Sequence, residues 1–202
     1  KAFCSGQDLG EAIDPQGGGL DRILSEHYNP LVRLMRSVMK PIVVAVNGVA
    51  AGAGANLALT GDIVLASEHA TFIQAFANIG LVPDTGGTWT LPRLVGPGRA
   101  SAWMMLGDKI SAQEAQQAGM IYRVCPADRL QDEAMQIALR LAQAPTKAFA
   151  LTKQALNASV FAGLDAQLEL ERELQNQAGA SHDFAEGVQA FLEKRRPVFT
   201  GK

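Results

Sequence analysis

Three glycine-rich segments in the first half of the chain share one layout, and they constrain the fold more than any other feature. They are Lys1-Ala-Phe-Cys-Ser-Gly-Gln-Asp-Leu9, Asn47-Gly-Val-Ala-Ala-Gly-Ala-Gly-Ala-Asn56 and Gly80-Leu-Val-Pro-Asp-Thr-Gly-Gly-Thr88. Each joins an apolar run to a stretch that can form a helix. Loops of this kind let main-chain N–H groups approach a bound oxygen with no side chain in the way. The third holds one carboxylate, Asp84, among residues that do not titrate. Exposed amides beside a single acid point to chemistry next to a carbonyl, where an oxyanion is held and a proton moved.

The rest of the sequence narrows the class. With 202 residues, 48% of them hydrophobic, the chain can fill a sizeable core. A net charge of −2 argues against a nucleic-acid binder driven by phosphate neutralisation. The two cysteines, Cys4 and Cys125, stand far apart, with no CxxC or Cys/His cluster. That pattern predicts neither a metal site nor a disulfide framework, and it suits a reducing cytoplasm. The longest apolar stretch, 41–55, is broken by Asn47 and glycines and is too short to span a bilayer, so no membrane association is expected. The chain opens at Lys1 rather than Met, and Lys1-Ala-Phe reads as the end of a strand already under way. An upstream N-terminal segment is therefore expected.

Periodicity supplies the elements. Residues 10–20 read as a loop. From Leu20 to Met39 the apolar positions Leu24, Leu31, Leu34, Met35 and Val38 recur at helical spacing, with Pro30 as a joint. Ile42–Val46 reads as a strand covered on both faces, and Asp62–Ala66 and Thr71–Phe76 as two more. Between them Ala53–Thr60 forms a helix that stops at Gly61. Ser111-Ala-Gln-Glu114 is a capping box that opens a helix to Ala118, and Ile121–Val124 is a short strand. Beyond that point Asp128–Ala144, Thr146–Val160, Leu164–Ala178 and Ser181–Arg195 all carry a 3.6-residue apolar period. The expectation is an α/β core over residues 1–125 and a helical region over 126–202.

In this order and at these separations, the three segments resemble those of the crotonase (enoyl-CoA hydratase/isomerase) superfamily, over essentially the whole chain. Tyr28-Asn-Pro-Leu-Val-Arg33, Gly86-Gly-Thr-Trp89, Leu91-Pro-Arg93, Leu168-Glu-Leu-Glu-Arg172 and the C-terminus are similar to the branch acting in phenylacetate degradation, which converts ring-1,2-epoxyphenylacetyl-CoA to oxepin-CoA. The resemblance implies a spiral of ββα units, a C-terminal helical trimerisation region and opening strands that lie before Lys1. It implies a homo-trimer or a dimer of trimers, an acyl-CoA thioester as substrate, and no cofactor beyond the coenzyme A that the substrate carries.

It also implies roles. The thioester carbonyl is bound by the N–H groups of Gln7 and Ala53. The positions that hold two glutamates in hydratases of the family are Asn56 and Phe76 here, and neither ionises. Syn addition of water needs a carboxylate and a carboxylic acid together, so ordinary hydration is disfavoured. Asp84 remains as the one acid–base. An isomerase needs only one, because the proton taken at one carbon is returned at another. Burial near Phe76, Leu81 and Trp89 is expected to raise its pKa; the plainer reading of Asp84 is a cap for the helix starting near Gly86. Substrate contacts are expected at Ala2, Ser5, Leu9, Asn56, Ile73, Phe76, Leu81, Trp89, Phe199 and Lys202, and Asn56 reads equally as a partner of Asp84 or as a satisfied polar residue on its helix. Asp8 reads as structural, holding its loop or capping the following helix, and Asp62 as a strand-entry residue. An aliphatic Δ3,Δ2-enoyl-CoA isomerase would use the same groups. A silent scaffold, or an RNA-binding relative, is the reading without catalysis.

Overall fold

In the computed structural model, residues 2–14, 16 and 18–202 are described. The reading of residue 1 as a strand end, and of residues 15 and 17 as loop, lies outside the described residues. Contacts divide the chain into two units, Lys1–Arg36 with Ile42–Ala134, and Ser37–Pro41 with Met135–Lys202.

The first unit repeats a strand–strand–helix order. Strands β1 (Val43–Val46) and β2 (Val49–Ala51) lead into helix α4 (Ala53–Leu59), and β3 (Ile63–Ser67) and β4 (Thr71–Ile73) lead toward α5 (Gly87–Val95). The two strands of each repeat enter different sheets. One sheet runs β1–β3–β6, wholly parallel, with β6 at Arg123–Cys125. The other runs β2–β4–β5, with β5 at Lys109–Ser111 antiparallel to β4. This is the ββα spiral of the crotonase fold. Helices α6 (Pro97–Leu106) and α7 (Ala112–Gln117) complete the order, and Ser111 Oγ caps α7 by accepting the Glu114 N–H at 3.1 Å. Val46, Leu65, Phe72, Leu91 and Ile110 are fully buried. At about 25 cal/mol per Å² of apolar area removed from water, such side chains carry most of the folding energy.

Four readings change. Residues 9–12 form a short helix, α1 (Leu9–Ala12), rather than loop, because Asp8 Oδ1 accepts the Gly10 N–H at 2.8 Å and caps it. The long helix over 20–39 is three pieces: α2 (Gly19–Arg22), a π-helical turn (Ile23–Tyr28) and α3 (Asn29–Ser37). The wide turn sets the Asn29 N–H on the Leu24 carbonyl and delivers Pro30 to the first turn of α3, where its missing N–H is not needed. Strand β4 ends at Ile73 rather than Phe76, because β5 supplies only three partners, the last being Lys109 opposite Ile73. In β1 only Val46 is fully buried, while Val43, Val44 and Ala45 are partly exposed rather than covered on both faces. Asp62 does mark strand entry: its Oδ2 accepts the Ile42 N–H at 2.8 Å, and Oδ1 pairs with Arg36 at 3.2 Å.

The second unit contains the last part of α8 (Leu130–Ala142), α9 (Thr146–Ser159), α10 (Leu164–Gly179) and α11 (His182–Leu192). Ala150, Leu151, Leu174 and Ala190 are buried, and Lys153 Nζ reaches the Lys40 carbonyl at 3.3 Å. The tail folds back on α11. Asp183, nearly fully buried, accepts the N–H groups of Thr200 and Gly201 at 2.7 and 2.8 Å and the Thr200 hydroxyl at 3.2 Å. Its carboxyl feels burial most, which alone would raise its pKa, yet these donors together hold it below the ordinary range. Large apolar side chains remain exposed on this unit, among them Leu156, Phe161, Leu164, Phe184, Phe191 and Leu192. Among the described residues no helix is long and apolar enough to cross a membrane.

Candidate active site

The first glycine segment is fastened alongside β2. The Phe3 N–H reaches the Val49 carbonyl at 2.8 Å, the Ala51 N–H reaches the Cys4 carbonyl at 2.9 Å, and Cys4 pairs with Ala50 as an isolated parallel bridge. Helix α4 then packs its second residue, Gly54, onto the Cys4 main chain. A Cβ at Gly54 would overlap the Cys4 carbonyl oxygen and stand 2.7 Å from the Cys4 Cβ. A Cβ at Gly6 would lie 3.4 Å from the Ala53 nitrogen, so the first loop passes beside the opening turn of α4. Gly52 makes the sharp entry, at φ +53°.

These constraints bring Ser5, Gly6, Gln7, Leu9, Gly52 and Ala53 to the wall of one cavity of about 230 Å³. Ala53 is the first residue of α4, where a helix has no acceptor of its own for the N–H and the dipole end is positive. The Gln7 side chain is engaged elsewhere, donating to Glu11 Oε2 at 2.7 Å.

The opposite wall comes from the segment after β4. A 3₁₀ turn, Ala77–Ile79, follows Phe76, and the Leu81 N–H returns to the Phe76 carbonyl at 3.0 Å. Ala75, Phe76, Asn78, Ile79, Leu81 and Asp84 line the cavity from this side, with Leu20 closing it. Asp84 is half-buried and, among the described residues lining the space, is the only titratable one. Burial pushes its carboxyl above the ordinary range, against smaller opposite pulls from the Thr85 hydroxyl and its own N–H. The Thr85 Oγ1 donates to Asp84 Oδ1 at 2.7 Å. The helix-cap reading of this side chain does not apply. Gly86 occupies the cap position of α5 with no side-chain bond, and the Asp84 carbonyl, not its carboxylate, accepts the Gly87 N–H at 2.8 Å.

Of the residues singled out in the sequence, Ser5, Gln7, Leu9, Ala53, Phe76, Leu81 and Asp84 meet at this cavity. Asn56 does not line it. It is fully buried, with Nδ2 donating to the Asp84 carbonyl and Oδ1 accepting from Gln74, both at 2.8 Å. Ile73 ends β4, Ala2 is exposed, and the Trp89 ring lies under the Arg93 guanidinium at 4.6 Å. Phe199 lines a separate groove of the second unit with Phe184 and Phe191, and the Lys202 carbonyl accepts the Asp183 N–H at 3.3 Å. Leu20, Ala75, Asn78 and Ile79 were not foreseen. The strand pattern read through Phe76 concealed the turn that presents the last two.

The fold and this one-acid cavity define a class. The sequence matches the enoyl-CoA hydratase/isomerase family over residues 1–202, and the chain belongs to that family; it is an isomerase of the crotonase type. It is similar to the 1,2-epoxyphenylacetyl-CoA isomerase of Escherichia coli, 51% identical over all of this chain and 78% of the relative. A probable enoyl-CoA hydratase of Rhodobacter capsulatus is 50% identical with the same coverage. Among solved structures, an enoyl-CoA hydratase from Polaromonas sp. superposes with a TM-score of 0.91 at 32% identity, over 98% of this chain and 78% of the other.

Proposed function

We propose that this protein isomerises 1,2-epoxyphenylacetyl-CoA to its ring-expanded oxepin form, with Asp84 as the single acid–base. The observation that carries the reading is the cavity's composition: one half-buried carboxylate of raised pKa on an otherwise non-titrating wall. The identity with the E. coli isomerase supports the substrate. The likeness to a hydratase carries less weight, because hydration needs a second ionising group at the water and the lining residues offer none.

In this mechanism the thioester carbonyl accepts from the N–H groups of Gln7 and Ala53. Charge moves onto that oxygen as the C2 proton leaves, and each well-placed donor contributes roughly 3 kcal/mol to the transition state. Asp84, ionised, takes the proton and returns it at another carbon, so no net water is added. Leu9, Leu20, Phe76, Ile79 and Leu81 hold the acyl group in an apolar surround. The same surround accepts a linear chain, which keeps aliphatic 3-enoyl-CoA as a second substrate class. The exposed apolar side chains of α9–α11 support assembly as a trimer or a pair of trimers. We place the protein in the cytoplasm, with no resident cofactor.

The test follows the proton. The full-length protein is incubated in heavy water with the epoxide and, separately, with 3-enoyl-CoA, and products are weighed by mass spectrometry. Epoxide conversion at constant mass apart from deuterium is the expected result. Turnover of 3-enoyl-CoA alone would move the assignment to the aliphatic reaction. Conversion undiminished in Asp84→Asn would remove Asp84 from it.

A further inference from the structure

We infer that two buried amides, Gln74 and Asn56, form a strut that positions Asp84 relative to the oxyanion donors. Gln74 Nε2 donates to Asn56 Oδ1 at 2.8 Å, and Asn56 Nδ2 donates to the Asp84 carbonyl at 2.8 Å. The relay has one workable direction. The Asp84 carbonyl can only accept, so Asn56 must present its NH2 there and its oxygen to Gln74, which must then present its own NH2. Asn56 cannot swing away, because α5 rests directly on its amide: a Cβ at Gly87 would overlap Asn56 Nδ2. The Asp84 carbonyl accepts the Gly87 N–H as well, so one oxygen ties α4 to α5.

What the strut holds is a turn the chain does not adopt unaided. Thr85, next to Asp84, is β-branched, almost fully buried and at φ +52°, in the left-handed region. The anchor point is informative too. Asn56 stands three residues after Ala53 on the same short helix, so α4 carries an oxyanion donor at its first turn and the brace for the acid one turn on. The separation between the two reacting ends of the site is thereby set by the helix itself. Gln74 follows Ile73, whose carbonyl accepts the Gly52 N–H at 2.9 Å at the entry to α4.

A packing role alone does not explain Gln74. Its Oε1 is buried and has no donor among the described residues. An apolar side chain of similar size would avoid that penalty. Gln74 keeps it, and what it gains is the N–H on Asn56 Oδ1.

The inference rests on Asp84 being the acid–base, and the experiment separates the two. Gln74→Met and Asn56→Asp are compared with Asp84→Asn and the parent, on whichever of the two acyl-CoA substrates the parent converts. A strut predicts that Gln74→Met lowers kcat about 10- to 100-fold while KM stays within about twofold, since a displacement of about 1 Å costs on that scale. The melting temperature changes little, because one unpartnered buried acceptor replaces another. The acid limb of its pH–rate profile also moves to lower pH, as the loosened turn admits water to Asp84. Asn56→Asp, which loses the donor, shows the same kcat loss with a lower melting temperature. If Asp84→Asn abolishes turnover but Gln74→Met keeps the parent's kcat and pH profile, the strut is overturned and the acid is not. If the parent converts neither substrate, or Asp84→Asn is unimpaired, the proposed function fails and the strut with it.

Discussion

Gly54 and Cys4 touch through bare main chain: a Cβ on Gly54 would overlap the Cys4 carbonyl oxygen. This contact, more than any side chain, sets the first loop against α4 and puts Gln7 and Ala53 on one cavity wall. Neither Cys4 nor its loop can retreat freely, because the Cys4 carbonyl is already bonded to the Ala51 N–H. Gly54→Ala is therefore expected to destabilise the protein by about 1–3 kcal/mol, as overpacking does. Denaturant melts would check this. Turnover should fall further than the loss of folded protein accounts for, since the two N–H groups proposed as oxyanion donors are drawn apart.

Thr85 tunes the acid. Its hydroxyl lowers the Asp84 pKa, against the larger effect of burial. A base must be ionised to act, so the rate falls as pH drops through that pKa. Thr85→Val removes the lowering contact, and the acid limb of the pH–rate profile should move to higher pH. Thr85→Ser keeps the hydroxyl and should leave the limb in place. A Val variant whose limb stays with the parent's would contradict this role.

Asp84 is held at a cost to the fold. A carboxyl whose pKa is higher in the folded state stabilises that state most below its unfolded pKa. That stability is lost as pH rises through the folded value. Asp84→Asn should therefore melt a few degrees higher than the parent near neutral pH, and the difference should vanish in acid. Thermal scans across that range decide the matter. A variant less stable than the parent at neutral pH would mean that the ionised carboxylate supports the turn.

Asp183 works in the opposite sense. Its carboxyl lies below the ordinary range when folded, so its stabilisation is present above the unfolded pKa and is lost as pH falls through the folded one. Asp183→Asn keeps the shape but weakens the bonds to Thr200 and Gly201. Hydrogen exchange at those two amides should quicken by about tenfold or more at neutral pH, with the amides of α9 unchanged. Equal exchange in both proteins would show that the tail is held by other contacts.

The last three helices were legible because their signals are local. The capping box at Ser111 was as well. Each depends on residues three or four apart, and apolar periodicity needs no distant partner. The glycine segments were legible as loops, yet β2 was hidden inside one of them. Val49–Ala51 is a strand because β4 and the Phe3–Cys4 segment lie beside it, and no local pattern announces that. For the same reason β4 was read too long: its end is decided at Lys109, far along the chain. In the site, Asp84 stood out as the single acid of its motif. Asn56 was read both as a substrate contact and as a partner of Asp84, and it is the second: it bonds the Asp84 carbonyl from behind the wall. Gln74 gave no signal at all, because a glutamine after a strand carries no pattern until α4 and the Asp84 turn are packed around it.

The Thr85 hydroxyl sits on one oxygen of Asp84, and the turn holds that carboxyl on one wall of the cavity. An acid fixed on one side of the acyl group reaches only one face of it. If Asp84 is the acid–base proposed above, the proton it lifts and the proton it returns cross the same side of the carbon chain, and the transfer is suprafacial.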